Sequence, residues 1–105
     1  MDVIARIVST LKRTFERHAW HGPSVMEALK DVSVTQCQRR LPGTHSIGEL
    51  VLHMTAWRTF VIKRLQGDNE FHVTEELNFP EIKNWTDAIL ALQNSQQTLL
   101  EAIRT

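Results

Sequence analysis

The side chains here with most capacity for chemistry are five histidines and a single cysteine. His53 lies in LVLHMTAW, residues 50–57, among leucines, a valine, a methionine and a tryptophan. A neutral imidazole in such a setting is either a metal ligand or a packed side chain with one nitrogen hydrogen-bonded. His18 and His21 are three apart, a spacing that sets two imidazoles on one side of a helix. Gly22 and Pro23 follow at once and break that helix, so a His18–His21 site without nearby acids or thiols is a weak metal signal. His45 and His72 are expected to face water. Cys37 has no second cysteine to pair with, so no oxidising compartment is implied. It reads as a small, partly buried apolar residue. A nucleophilic role would need a base or positive group held close, and neighbouring Arg39 and Arg40 are thin support. Glu75 and Glu76 read as solvated charges. No Ser-His-Asp arrangement, phosphate-cradling glycine loop or nucleic-acid motif is present.

The totals narrow the function classes. A chain of 105 residues suits one domain. Its 42% hydrophobic and 23% charged residues are ordinary for a globular protein. Twelve basic residues balance twelve acidic ones, which argues against a nucleic-acid or membrane-surface binder. No stretch approaches the ~20 apolar residues that span a bilayer. The opening MDVIARIVSTLKRTF has charges at helical intervals and does not read as a signal peptide. The expected location is the cytoplasm.

The elements that would position these groups are helices. Val3, Ile4, Ile7, Val8, Leu11 and Phe15 recur at helical spacing, predicting a helix from about 3 to 19 with Asp2 as N-cap. Pro23 suits the first turn of a short helix over about 24–31. Ser33 and Gln36 have capping-box spacing, predicting another over about 34–40. Ser46 and Glu49 form the same box before a long helix over 47–66, with Gly67 as its C-terminal stop. Ile47, Leu50, Val51, Met54, Val61 and Leu65 form its main stripe, widened by Trp57, Phe60 and Ile62. An apolar arc over half the circumference implies burial on more than one side. Residues 67–83 form a polar connection that Phe71, Phe79 and Ile82 should pin to the body. Asn84 caps a last helix over 85–104, with Trp85, Ala88, Ile89, Leu92, Leu99 and Ile103 on one face and Gln96 in mid-stripe. No strand is predicted. The fold class is all-α, an antiparallel helix bundle.

Three stretches carry a family resemblance: AWHGPSVMEAL (19–29), PGTHSIGELVLHMTAWRTFVIKRLQGD (42–68) and the helix from Trp85 after an acidic loop. Together, and in this order, they resemble the DinB-like superfamily of four-helix bundles, the damage-inducible and thiol-transferase-related proteins. The resemblance implies a divalent metal, zinc or nickel, held by three histidines. His53 matches the one on the second long helix. The other two stand a turn apart on the last helix of the family, and TDAILALQNSQQTLLEAIRT (86–105) has no histidine to match them. That segment resembles the third long helix, which implies a bundle lacking its fourth. A ligand role for His53 would need partners from elsewhere, such as His21 in the WHGPS turn or histidines of a second subunit.

A bundle short of one helix leaves an apolar groove that another molecule should cover. The expectation is a homodimer using the wide face of helix 47–66, with Trp57, Phe60 and Val61 at the interface or groove. A small apolar ligand or a protein partner is the other possible occupant. No catalytic residue is assigned. The function expected is a non-catalytic, oligomerising helical protein. The alternative is a metal-dependent enzyme of thiol-transferase or hydrolase type, in which a metal near His53 activates a thiol or water.

Overall fold

A computed structural model describes residues 2–17 and 22–105. Among these residues the ordered elements are all helical: α1 (Val3–Phe15), α2 (Val25–Leu29), α3 (Val34–Gln38), α4 (Ile47–Leu65), α5 (Glu75–Asn78) and α6 (Trp85–Arg104). Among the described residues, no helix is long and apolar enough to cross a membrane. The chain resolves into two compact units, one reaching to Val32 and the other running from Ser33 to Ile103.

In the first unit, the Asp2 carboxylate accepts the Ala5 N–H at 2.7 Å and starts α1. Val8 and Phe15 are buried, while Val3, Ile4 and Ile7 are exposed. The helix expected to reach residue 19 stops at Phe15, with Glu16 as C-cap. Pro23, expected in the first turn of α2, lies just outside it. Ser24 is the N-cap, because its hydroxyl can accept the Glu27 N–H while the Glu27 carboxylate accepts the Ser24 N–H. This box was not anticipated.

The second unit is set up by two further boxes. Ser33 and Gln36 start α3, and Ser46 and Glu49 start α4, both as the spacing predicts. Gly67, at φ +90°, ends the long helix in the left-handed region that glycine adopts without strain. Asn84 caps α6 by accepting the Asp87 N–H at 2.9 Å. The buried apolar positions are Cys37, Val51, Ile62, Ala88, Leu92, Leu99 and Leu100. On α6, Ala88, Leu92 and Leu99 follow the predicted stripe, and Leu100 lies beside it. On α4 they follow it in part: Val51 of the main stripe and Ile62 of its flank are buried, but Leu50, Val61 and Leu65 are exposed. The buried line runs through Gly48, Val51 and Ile62, with half-buried Thr55 on the same side, and is turned away from Leu50, Val61 and Leu65. A glycine and a threonine on the packed side weaken its hydropathy signal.

Gly48 is a crossing point. A Cβ there would lie 2.8 Å from Ile82 Cβ and 3.0 Å from the Cys37 carbonyl oxygen. Residues 79–83, the end of α3 and the start of α4 therefore meet at one place. Further along, Arg58 of α4 bonds Gln96 of α6. Both numbers ascend together, from 48 and 82 to 58 and 96, so α4 and α6 run parallel. The antiparallel order that short connections impose does not extend to this pair, because residues 66–84 are long enough to carry the chain back along α4. Part of that connection is α5, begun by Thr74 and undetected in the sequence.

Candidate functional site

The start of α4 and the end of α5 build a column of flat rings. His45 stands just before the α4 N-cap, and His53 lies two turns into the helix. Phe79, the C-cap of α5, fits between them. Its ring stacks on His45 at 3.7 Å between centroids and on His53 at 4.2 Å, with interplanar angles of 2° and 4°. Trp57 meets His53 edge-on at 6.4 Å and Phe60 at 5.3 Å, and the Arg64 guanidinium caps the Phe60 ring at 4.4 Å.

Asn78 locks the column. The last carbonyls of a helix have no partner within it. The carbonyl of Asn78 accepts His53 Nδ1–H at 2.8 Å, and its side-chain Oδ1 accepts Trp57 Nε1–H at 2.8 Å. A carbonyl can only accept, so the proton of neutral His53 sits on Nδ1 and the lone pair on Nε2. At the other end, His45 Nδ1–H donates to Glu49 Oε2 at 3.2 Å. Glu49 Oε1 takes the Ser46 N–H at 3.0 Å and Arg40 Nε at 3.3 Å. The Ser46 N–H is the main reason the Glu49 carboxyl is held below its ordinary range; His45, the Ser46 hydroxyl and Arg40 add to it, against the opposing pull of burial.

Gln96, with no role assignable from its place in the α6 stripe, is 3% exposed, and its Oε1 accepts Arg58 Nε–H at 3.0 Å. Burial pushes the Arg58 guanidinium down, and the amide gives this half-sunk cation a neutral partner. Cys37 is fully buried, as expected of a packed residue. Its thiol donates to the Val34 carbonyl at 3.0 Å, and burial pushes its pKa up, away from a reactive thiolate.

Of the predicted site residues, the structure brings His53, Trp57 and Phe60 together. Val61 lies on the exposed side of the same helix. His21 lies outside the described residues, as does the His18–His21 pair. His45 is exposed, as expected, and its ring also packs on Phe79. His72, Glu75 and Glu76 are exposed as expected. Sequence reasoning missed Asn78 and Arg58. The signal for Asn78 was present in TEELNFP, a Thr cap with an acidic first turn that marks a helix end beside Phe79.

Comparison with protein families matches residues 12–105 to the DinB superfamily. The chain belongs to the DinB superfamily. The match spans both units. No curated protein and no solved structure matches the chain.

The DinB resemblance implies a metal, and the side chains present decide whether one fits. His53 donates Nδ1–H to the Asn78 carbonyl as metal-bound imidazoles usually do with their other N–H. A stable zinc site needs three or four protein ligands. Among the described residues, no three His, Cys, Asp or Glu side chains are grouped to hold an ion. The described residues of this DinB chain therefore do not fit a metal centre by themselves.

Proposed function

We propose that this DinB-superfamily chain is a non-catalytic, self-associating helical protein of the cytoplasm, in which the outer face of α4 joins two copies as a homodimer. The observation that carries the reading is a row of apolar side chains left in water. Leu50, Trp57, Val61 and Leu65 are spaced by seven, four and four, and are 44%, 41%, 42% and 51% exposed. That spacing puts them on one side of the helix. Burying them returns about 25 cal/mol per Å² of apolar surface. A two-fold contact is the commonest way to cover such a row, since the same face then meets itself. Trp57 is the natural anchor: its indole N–H is already satisfied by Asn78, so burying the ring leaves no polar group unpaired. Phe60 flanks it.

Light scattering across micromolar concentrations tests this. The expected result is a dimer in the native protein and a shift to monomer in Val61→Glu. A native chain that stays monomeric at every concentration removes the proposal. Saturable uptake of a small apolar probe by such a monomer would assign the face to a ligand instead.

A second reading has one specific observation behind it, the fixed tautomer of His53 with its Nε2 lone pair uncommitted. It holds that a divalent ion, zinc or nickel, binds there with ligands from outside the described residues, serving a thiol transferase or hydrolase. Metal analysis of protein purified without a histidine tag separates the readings. Stoichiometric metal that is lost in His53→Ala supports the second.

A further inference from the structure

A cavity of about 610 Å³ opens beside the ring column, with Gln38, Arg40, His45, Glu49, Glu81 and Ile82 among its lining. Its volume is within the range of small-molecule sites, about 300–1,000 Å³. The hydrogen-bonding capacity around it is unevenly spent. Glu49, only 12% exposed, is occupied by the Ser46 N–H, Arg40 Nε and His45 Nδ1. Arg40 uses that same Nε toward the Thr44 carbonyl at 2.8 Å. Each basic side chain is thus held through one inner nitrogen. The two terminal nitrogens of Arg40 and His45 Nε2 make no hydrogen bond among the described residues. Neither do the Glu81 carboxylate and the Gln38 amide.

The free groups define the ligand. The outer fork of a guanidinium matches a carboxylate with two parallel bonds. A simple anion would also meet the charge of Glu81, and a simple cation would meet that of Arg40. A molecule carrying both charges satisfies both. We propose that this cavity binds a small zwitterion of dipeptide size, its carboxylate on Arg40 and its ammonium group on Glu81, with Phe79 and Ile82 as the apolar wall. Glu49 is the positioning residue that fixes Arg40 and His45. The site is independent of self-association, since it uses none of Leu50, Trp57, Val61 or Leu65.

Chemical-shift titration of the full chain with glycylglycine tests the proposal, with N-acetylglycine and glycinamide as singly charged controls. Saturable shifts confined to residues 38–49 and 79–82 are expected for glycylglycine. Either control should bind roughly tenfold more weakly, the loss of one charge-assisted contact. Arg40→Gln and Glu81→Gln should each weaken glycylglycine by a similar factor with the thermal melt unchanged. If Arg40→Gln disturbs folding through Glu49, Glu81→Gln alone decides. Shifts that do not saturate or scatter over the surface overturn the proposal, as do controls that bind equally well or a Glu81→Gln protein that binds like the native one.

Discussion

Replacing Gly48 with alanine puts the packing at the start of α4 under direct test. On an exposed helical position this change stabilises, by roughly 0.5–1 kcal/mol, because alanine loses less backbone freedom on folding. Here the new methyl would sit 2.8 Å from Ile82 Cβ, and 3.0 Å from both Ile82 Cγ1 and the Cys37 carbonyl oxygen. Carbon atoms in comfortable contact are about 3.5–4.0 Å apart. Neither neighbour is the loose end of a flexible chain: one is a branch point at the backbone, the other is backbone. Overpacking of this kind costs about 1–3 kcal/mol. The net effect is a destabilisation of about 1–2 kcal/mol, lowering Tm by roughly 5–10 °C for a domain of this size. Calorimetry or urea unfolding reads it. A second arm isolates the cause. Ile82→Gly removes both carbons the methyl would meet, so the double variant should lose less stability than the two single changes added together. A Gly48→Ala protein as stable as the native one, or more so, would refute the convergence of α3, α4 and residues 79–83 at this point.

Other consequences can be measured in the same way. Glu49 has its carboxyl pKa lowered in the folded protein, so it contributes stability above the ordinary carboxylate range that is lost as pH falls through the depressed value. Glu49→Gln should therefore flatten the acid limb of the stability curve, followed by urea midpoints from neutral to acid pH. Phe79→Ala removes a half-buried ring from between two imidazoles and should cost about 2 kcal/mol, less than the 3–5 of a full core position; loss of the hydrogen-bonded His53 Nδ1–H resonance should accompany it. Gln96→Leu keeps the volume but takes the acceptor from the Arg58 Nε–H, with an expected cost of about 1–3 kcal/mol in chemical denaturation.

What was legible in the sequence was local. The Ser33–Gln36 and Ser46–Glu49 boxes act within one turn, so three-residue spacing located the starts of α3 and α4. The stripe on α6 is narrow enough to identify its buried side, and Leu92 and Leu99 fall where expected. The arc on α4 is too broad for that. With apolar residues most of the way round, periodicity cannot choose between the Leu50 side and the Val51 side, and small Gly48 and polar Thr55 hide the true inner face. The candidate site was half visible. His53 could be singled out by its neighbours, and Phe79 could be recognised as an anchor of the connection. Their stacking, and the recruitment of His45, depend on residues 26 and 34 positions from Phe79 coming together through the return of residues 66–84. Nothing in a local window encodes that meeting. Arg58 and Gln96 are hidden for the same reason: each is an unremarkable polar residue until the two helices align.

The parallel course of α4 and α6 gives the second unit an electrical polarity. Each long helix has a macrodipole equal to roughly half an elementary charge at either end. Antiparallel neighbours cancel such fields, whereas these two add. Both starts lie at the end where Gly48 meets Ile82, and each has a carboxylate in its first turn, Glu49 and Asp87, to offset the accumulated positive potential. That end of the unit should consequently be the more welcoming one for negative groups arriving from solution, and removing either carboxylate would sharpen the asymmetry.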